Sequence, residues 1–354
     1  MKIESGNSVI HFTDNIITEL FQILSGYRHE NVFVLVDENT RKYCLPVFSG
    51  TPLCQSSKVI EIKSGEENKS LETLSGIWSF LSENGADRGS LLINLGGGVI
   101  CDVGGFAAAT YKRGINFINL PTSLLAQVDA STGGKLGINF RNLKNEIGLF
   151  LEPCHVFIYP AFLKTLDKQN ILSGFAEMIK HALISGKDYY NSLLQFNHNQ
   201  LENGFLMKLI YESVKIKSHF VTTDFREKNL RKALNFGHTL GHAFESLSIR
   251  HGRPIPHGIA VAHGMLGELY LSCKILGFDQ KKSDQICSFI VSKFNKPEVA
   301  MGDYNLITEY IKHDKKNTGT PANFTLLSDT GKVITDNYPT ERNIFEALEF
   351  INSL

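Results

Sequence analysis

Two histidines four residues apart are the first feature of the sequence that could carry chemistry. His238 and His242 occur in LNFGHTLGHAFE (234–245), and this spacing places both imidazoles on one face of a helix. HxxxH is a common spacing of metal ligands, but two ligands do not complete a metal site. The best further candidates are His257, in IPHGIAVAHG, and Glu177, in GFAEMIKH. The pattern predicts a metal site drawn from these four side chains and leaves open which of them bind.

A second set of residues consists of cations in apolar or glycine-rich sequence, where a solvated surface would not place them. The set comprises Lys135 in ASTGGKLGIN, Lys144 in RNLKNEIG, Lys180, Lys217, Arg231, and Lys315 and Lys316 in DKK. Cations gathered in one place repel one another unless they face a multiply charged anion, most simply a phosphate together with a carboxylate. Each lysine taken singly is more typical of a protein surface, and their co-occurrence predicts an anionic substrate.

A glycine-rich turn is the third feature. LLINLGGGVICDVGGFAAA (91–109) places glycines directly after an apolar strand and before a helix of small residues. Such a turn lets the backbone approach a pyrophosphate, which the N–H groups and dipole of the helix N-terminus then favour. The strict GxGxxG pattern is not met, because Cys101 occupies its third position. The motif favours nucleotide binding, with a plain strand–helix turn as the alternative. SGEENK (64–69) is a second candidate loop, in which Glu66 and Lys69 could contact ribose and phosphate.

These residues require two kinds of scaffold. Up to residue 160, β-rich runs (32–37, 58–63, 91–95, 116–121 and 155–160) alternate with amphipathic helical segments. This alternation predicts a parallel, doubly wound sheet. Beyond residue 160, long helical patterns follow one another, and FTLLSDTGKVIT (324–335) predicts one hairpin. We therefore predict a Rossmann-like α/β domain over residues 1–160 and a mainly α-helical domain over residues 161–354.

Length and composition exclude several classes of protein. The 354 residues correspond to about two domains, and 36 basic against 36 acidic residues disfavour a general nucleic-acid binder. The six cysteines form no CxxC pair and are expected to be reduced. No continuous apolar run approaches the length of a membrane span, and the N-terminus lacks the apolar core of a signal peptide. We therefore expect a cytoplasmic protein without a membrane partner.

Several blocks of sequence share their residues and their order with one enzyme family. They lie between residues 64 and 316 and include GGGVICDVGGFAAATYKRG, LPTSLLAQVDASTGGKLGIN, LKNEIG, GFAEMIKH, LNFGHTLGHAFE and PHGIAVAHGM. In these blocks the chain resembles the 3-dehydroquinate synthases, members of the sugar phosphate cyclase superfamily. The resemblance implies an N-terminal NAD-binding domain and a C-terminal metal-binding domain, with the active site in the cleft between them. It also implies a homodimer that uses NAD and Zn²⁺, with Co²⁺ as an alternative metal.

The activity that the resemblance implies is the conversion of 3-deoxy-D-arabino-heptulosonate 7-phosphate to 3-dehydroquinate and phosphate. Position by position, the metal ligands would be Glu177, His238 and His257, and His242 would face the substrate. NAD would contact Asp37, Asn39, Glu66, Lys69, Gly97, Gly98, Asp102, Thr122, Ser123, Lys135, Lys144, Phe162 and Thr165. The substrate would meet Asp129, Lys135, Asn145, Lys180, Lys217, Arg231, Asn235, His242 and one of Lys315 and Lys316, with Glu227 nearby. Arg113 would reach the phosphate bound by the partner subunit.

The sequence departs from the family pattern at three positions of the nucleotide region. Cys101 replaces a glycine, Ser123 replaces the second threonine of PTT, and Leu136 stands where threonine is common. Because cysteine and serine are small, we expect nucleotide binding to survive these changes.

Related enzymes provide the alternative functions. 2-Deoxy-scyllo-inosose synthase and valiolone-type cyclases alter the groups that bind the substrate carboxylate, whereas Lys217, Arg231 and Asn235 are retained here. A metal-dependent polyol dehydrogenase would need fewer anion-binding lysines. A catalytically inactive NAD-binding protein is disfavoured, because the metal, proton-transfer and anion positions are all filled.

Overall fold

The chain forms two compact units in the structure, a computed structural model that describes residues 1–141, 143–197, 204–313 and 322–354. The first unit comprises Met1–Asp167 and Asn199–Thr222, and the second comprises Lys168–His198 and Thr223–Leu354. The sequence predicts a single boundary after residue 160. The compact units instead divide after Asp167, and the first unit includes a second, later segment of the chain.

The first unit is built on a seven-stranded sheet. Its strands are β1 (Lys2–Ser5), β2 (Ser8–Phe12), β3 (Val32–Asp37), β4 (Lys58–Ile62), β5 (Leu91–Gly96), β6 (Asn116–Pro121) and β9 (His155–Ile158), while β7 (Lys135–Phe140) and β8 (Leu143–Phe150) form a separate antiparallel hairpin. The order across the sheet is β1-β2-β9-β6-β5-β3-β4. β1 is antiparallel to β2, and the other five pairings are parallel. The predicted parallel α/β sheet is confirmed.

Both faces of this sheet are covered. The helices of the first unit are α1 (Ile16–Leu24), α2 (Glu38–Tyr43), α3 (Pro52–Ser56), α4 (Leu71–Glu83), α5 (Gly98–Thr110) and α8 (Gly204–Thr223). Phe33 and Leu35 of β3 belong to a core with α4 and α5, whereas Val32 and Val34 belong to a second core with α1. Because neighbouring residues of a strand point to opposite faces, a strand covered on both sides is apolar throughout.

The second unit is mainly helical, as predicted. It contains α6 (Lys168–Ser185), α7 (Lys187–Leu193), α9 (His238–Arg250), α10 (His257–Leu276), α11 (Gln280–Phe294), α12 (Tyr304–His313) and α13 (Glu341–Ser353). The predicted hairpin is formed by β10 (Phe324–Asp329) and β11 (Lys332–Asn337).

Glycines allow α10 to pack closely against its neighbours in this unit. A methyl group at Gly258 would stand 1.9 Å from the carbonyl oxygen of Ser173 on α6. One at Gly264 would stand 2.1 Å from the carbonyl oxygen of Gly237, the N-cap of α9. Both distances are far below an ordinary contact, so only glycine permits this packing. The three helices α6, α9 and α10 are those that carry the predicted metal ligands.

Helix α10 is apolar enough to meet a length and composition criterion for a membrane span, although the sequence lacks a continuous apolar run of that length. Its best 18-residue window has a mean hydropathy of 1.3, and 67% of that window is buried inside the protein. The helix also carries the buried polar residues His263 and Glu268. Burial of this kind is typical of the core helix of a globular unit.

Candidate active site

The four side chains predicted as candidate metal ligands lie together in the second unit. Glu177 is on α6, His238 and His242 are on the first two turns of α9, and His257 begins α10. The three imidazole centroids are 5.4 to 5.6 Å apart, and one nitrogen of each ring lies within 4.8 Å of the others. Glu177 Oε1 is 3.7 Å from Nε2 of both His238 and His257.

These separations suit a single metal ion. Ligand atoms that stand ~2.0–2.2 Å from a tetrahedral zinc are about 3.4 Å from one another. Glu177 is fully buried. Its carboxylate contacts the ammonium of Lys180, one turn along the same helix and itself 1% exposed. Buried charge is costly unless compensated, so a divalent cation beside this carboxylate fits the donors present.

Outer contacts orient two of the imidazoles. Nδ1 of His257 is 3.2 Å from Oε2 of Glu245, and Nδ1 of His238 is 3.3 Å from the carbonyl oxygen of Phe236. In each ring this leaves Nε2, the atom near Glu177, for a ligand. Contacts of this kind fix the tautomer and the direction of a metal-binding histidine. The sequence pattern did not distinguish Glu245 as a site residue, although it lies in the same block as both α9 histidines.

The 3₁₀-helix Leu230–Asn235, which precedes α9, carries Arg231 and Asn235. The Arg231 side chain is 1% exposed, and its Nη1 donates to the carbonyl oxygen of Phe225 at 2.6 Å. Asn235 Nδ2 donates to Glu227 Oε1 at 2.6 Å. A buried guanidinium is positioned by its surroundings, so little side-chain entropy remains to be lost when it binds an anion. The structure therefore pairs Asn235 with Glu227 and places Arg231 on the same 3₁₀-helix as Asn235.

Asp224 closes the turn that leads into this 3₁₀-helix and was not among the predicted site residues. Its carboxylate accepts hydrogen bonds from the backbone N–H groups of Lys228, Asn229 and Arg231, at 3.0, 2.6 and 3.2 Å. Slight burial raises the pKa of Asp224, but these donors outweigh it and hold the pKa below its ordinary value. Aspartate commonly accepts hydrogen bonds from backbone N–H groups a few residues later in a turn. Its residue type was therefore the one sequence signal that indicated a turn at Asp224.

The glycine turn of the first unit lies where β5 ends and α5 begins. Gly97 is the N-cap of α5, and no side chain of the described residues caps that helix. The N–H of Thr122, after β6, donates to the carbonyl oxygen of Gly96 at 3.0 Å. A methyl group at Gly98 would lie 3.3 Å from Cβ of Ala130. The first N–H groups of α5 therefore have no side-chain acceptor among the described residues. Together with the glycine backbone beside them, they are suited to bind a phosphate.

Cys101 is buried beneath this turn. It is 1% exposed, and its Sγ lies 3.9 Å from the carbonyl oxygen of Gly96. The close approach of helix to sheet occurs instead at Gly104, where a methyl group would stand 2.0 Å from Oδ1 of Asn94. The difference from the family pattern at Cys101 therefore affects a buried, packed position, and Gly104 is the glycine that permits the contact between helix and sheet.

Lys69 joins residues predicted for nucleotide with one predicted for substrate. Its Nζ is 2.5 Å from Asp102 Oδ2 and also contacts Oδ1 of Asn145. Burial lowers the pKa of Lys69, but the Asp102 and Glu66 carboxylates outweigh it, so the pKa lies above its ordinary value. Burial raises the pKa of Asp102, and Lys69 opposes that rise. Lys69 is thus held as a cation at the centre of the group.

Asn139 completes this group and was also missed by sequence reasoning. Its Nδ2 donates to Glu66 Oε1 at 3.0 Å and to the Glu66 carbonyl oxygen at 3.2 Å. Its Oδ1 accepts from the backbone N–H of Asn145 at 2.9 Å. Asn145 has a φ of 53°, a left-handed conformation that asparagine tolerates better than most residues. Nothing in the pattern around Asn139 distinguished it from an ordinary strand residue.

A second ion pair in the first unit joins Lys217 on α8 to Asp129. The Lys217 Nζ is 2.5 Å from Asp129 Oδ1, and it donates to the Asp129 carbonyl oxygen. Asp129 lies on a short π-helical turn, Ala126–Ala130. Such turns are rare and frequently occur at functional sites. Because Lys217 is only 5% exposed, it is the buried partner of an ion pair and not a solvated surface lysine.

The remaining predicted residues are more dispersed. Asp37 caps α2 by accepting from the N–H of Thr40 at 2.7 Å, and Asn39 lies within that helix. Phe162 is buried against Tyr159 in the 3₁₀-helix Pro160–Thr165. The other placements are as follows: Ser123 accepts from the N–H of Ala126, Lys135 and Lys144 are exposed on the β7–β8 hairpin, and Arg113 has a φ of 71°. Lys315 and Lys316 lie outside the described residues.

Comparison with known proteins identifies close and distant relatives. Residues 59–173 match the family model described as 3-dehydroquinate synthase N-terminal, and residues 174–317 match the one described as 3-dehydroquinate synthase C-terminal. The chain is 47% identical to the 3-dehydroquinate synthase of Parabacteroides distasonis over 94% of each chain. It is also 36% identical to the 3-dehydroquinate synthase of Clostridium tetani, over 99% of this chain and 94% of that one.

Two solved structures share the fold at lower identity. One is a 2-epi-5-epi-valiolone synthase from Streptomyces hygroscopicus with NAD⁺ and Zn²⁺ bound, with a TM-score of 0.85 and 22% identity over 100% of this chain and 98% of that one. The other is a 2-deoxy-scyllo-inosose synthase in complex with carbaglucose-6-phosphate, NAD⁺ and Co²⁺, with a TM-score of 0.83 and 22% identity over 98% of this chain and 99% of that one.

Proposed function

Because the chain belongs to the 3-dehydroquinate synthase family, we propose that it converts 3-deoxy-D-arabino-heptulosonate 7-phosphate to 3-dehydroquinate and phosphate. The conversion combines transient NAD-dependent oxidation, phosphate elimination, re-reduction, ring opening and aldol cyclisation, and makes the protein a phosphate-eliminating carbon–oxygen lyase of the shikimate pathway. The observation that carries the proposal is the 47% identity to a synthase over 94% of the chain. The buried metal-ligand set and the buried cations agree with it.

We assign the metal to Glu177, His238 and His257. The support is geometric: Glu177 Oε1 is equidistant, at 3.7 Å, from the Nε2 atoms of both histidines. His242 then faces the substrate, where an imidazole can hold or pass a proton near neutral pH. Zn²⁺ suits this nitrogen and carboxylate donor set, and Co²⁺ suits it as well.

We assign NAD to the first unit. The Gly97–Gly98 turn would receive its pyrophosphate, and the group around Lys69 would supply one cation and the carboxylates of Glu66 and Asp102. The other contacts follow the family pattern: Asp37, Asn39, Thr122, Ser123, Lys135, Lys144, Phe162 and Thr165. When bound, NAD would accept and return a hydride, and the metal would lower the pKa of a substrate hydroxyl.

The chain's own residues then bind and orient the substrate. Buried Arg231 and Lys217 offer fixed positive charge to its carboxylate and phosphate, and Asn235, held by Glu227, offers amide hydrogen bonds. The remaining substrate contacts in the proposal are Asp129, Lys135, Asn145, Lys180 and one of Lys315 and Lys316. Holding the substrate in one orientation contributes a large part of the rate acceleration when the same substrate must pass through several steps. Polar groups fixed before binding also need no reorganisation during the reaction.

We further propose a cytoplasmic homodimer in which Arg113 acts in the partner's site. Arg113 follows α5 in a short 3₁₀-helix, with its backbone in the left-handed region at φ 71°. A non-glycine residue in this conformation costs about 1–3 kcal/mol and persists only where something else requires it.

A single assay tests the function. Metal-replete protein with catalytic NAD should release inorganic phosphate from the heptulosonate phosphate and form dehydroquinate without net accumulation of NADH. Stoichiometric NADH would instead indicate a simple dehydrogenase. Absence of phosphate release from metal-replete protein would overturn the proposal.

The division of the histidines has its own test. His257→Ala should abolish zinc retention after dialysis, whereas His242→Ala should retain zinc and lose turnover. Atomic absorption measures the bound metal in both variants. Equal loss of zinc from the two would show that His242 is a ligand.

A further inference from the structure

A buried carboxylate on α10 binds the first turn of α9. Glu268 is fully buried. Its Oε2 accepts from the N–H of Gly237 at 2.6 Å, and its Oε1 accepts from the N–H groups of Thr239 and Leu240 at 3.1 and 3.2 Å. These three donors flank His238 on both sides in the chain. None of the residue roles given above involves Glu268.

The first turn of α9 requires such a partner. Its N-cap is Gly237, which has a left-handed φ of 82° and no side chain with which to accept a hydrogen bond. The first N–H groups of any helix lack partners within that helix, and Gly237, Thr239 and Leu240 are all buried away from water. Glu268 therefore performs from another helix the task of a local N-cap, with a charge that the helix dipole favours.

The same carboxylate links two helices that carry proposed metal ligands. His257 begins α10 and Glu268 follows it by eleven residues (268 − 257), which is close to three full turns. The two side chains therefore project from the same side of α10, one near each end of the segment that packs on α9. Gly264 lies between them and allows the contact of α10 with Gly237 described above.

We propose that Glu268 is a positioning residue for the metal centre. By fixing the N–H groups on either side of His238, it holds the first turn of α9 so that Nε2 of His238 faces Glu177 and His257. The proposal rests on the metal site of the proposed function, and it adds a residue that does not touch the metal.

Co²⁺ binding to the apo protein tests this role. In Glu268→Gln the shape is kept, but the amide NH₂ cannot accept a hydrogen bond, so at least one of the three buried N–H groups loses its acceptor. We expect Co²⁺ affinity to fall 10- to 100-fold, as for other residues that orient metal ligands, with an altered d–d absorption spectrum. An unchanged dissociation constant and spectrum in Glu268→Gln would overturn the proposal.

The control is Asp279→Ala, which removes a helix N-cap elsewhere in the same unit. Asp279 is the N-cap of α11 in the same unit and accepts from the N–H of Lys282 at 2.8 Å, but α11 carries no proposed site residue. This variant should lose stability while binding Co²⁺ as the wild type does. If both variants weaken Co²⁺ binding equally, the effect is general destabilisation and the specific role of Glu268 is refuted. Failure of the wild-type protein to bind Co²⁺ would overturn the metal centre itself, and this role with it.

Amide hydrogen exchange on the wild-type apo protein tests the role without any variant. The N–H groups of Gly237, Thr239 and Leu240 should be protected to the same degree as those in the middle of α10. Rapid exchange at these three positions, with α10 protected, would show that the carboxylate does not hold the turn.

Discussion

Gly104 and Gly76 offer a comparison in which the same substitution should have opposite effects. Both lie within helices of the first unit, Gly104 on α5 and Gly76 on α4. A methyl group at Gly104 would stand 2.0 Å from Oδ1 and 2.6 Å from Cγ of Asn94. No described atom lies within 4 Å of a methyl group at Gly76. Gly76→Ala therefore measures helix propensity alone, and Gly104→Ala measures propensity together with the helix–sheet contact.

The magnitudes follow from these contacts. Replacing glycine by alanine within a helix gains about 1 kcal/mol, which is the expected stabilisation in Gly76→Ala. At Gly104 that gain is offset by overpacking, which costs ~1–3 kcal/mol. Asn94 can move aside only by weakening its 2.9 Å hydrogen bond to Asn119, a further cost of about 1 kcal/mol. We therefore expect Gly104→Ala to lower the free energy of unfolding by about 1–3 kcal/mol.

The fluorescence of the sole tryptophan can be used to follow the unfolding of both variants. Trp78 lies on α4, and its indole N–H donates to the carbonyl oxygen of Ala107 on α5 at 3.2 Å. Urea unfolding followed by this signal therefore reports on the packing of the two helices that carry the substitutions. If the two variants shift the midpoint in the same direction, α5 is not packed against β5 at Gly104, and the explanation of the glycine fails.

Three further outcomes are expected. Glu245→Gln should lower zinc affinity 10- to 100-fold, because it weakens the contact that orients His257; unchanged affinity in a metal-competition titration would contradict this. Burial and the neighbouring imidazole lower the pKa of His11 to about 4 from 6.5, so the unfolded state binds more protons and stability should fall as pH drops between those values. His11→Gln should flatten that dependence in urea midpoints, and an unaltered slope would refute it. Burial raises the pKa of the Cys101 thiol, so iodoacetamide should leave it unmodified in the folded protein, as mass spectrometry of its peptide would show.

The sheet could be predicted because of how it is buried. Every residue of β5 is buried, as is nearly every residue of β3, and a strand covered on both faces leaves a continuous apolar run. The β7–β8 hairpin could not be predicted in this way. Seven of the eight residues of β8 are exposed and the other is half-buried, so no alternation of polar and apolar residues reveals it. Its sequence therefore predicts candidate ligand residues but not the strand that carries them.

In the candidate site, residues related by local sequence patterns could be predicted, whereas contacts between residues far apart in the chain could not. Helical spacing pairs His238 with His242, the sequence offers Glu177 and His257 as further candidates, and the family pattern selects three of the four as ligands. Glu268 is 28 to 31 residues from the backbone groups that it binds. No spacing rule connects an acid in an apolar helix to N–H groups so far away. Partners of this kind become visible only when the packing of α9 against α10 is known.

The return of the chain to the first unit has a consequence for synthesis and for engineering. Helix α8 belongs to the first unit but follows α6 of the second, and its Tyr211 ring packs edge-on against Phe12 of β2 at 5.0 Å. During translation, part of the second unit is therefore synthesised before the last segment of the first unit. A fragment that ends at residue 167 would leave Asp129 without Lys217 and Phe12 without Tyr211. Neither unit can be exchanged between relatives as one continuous piece of gene.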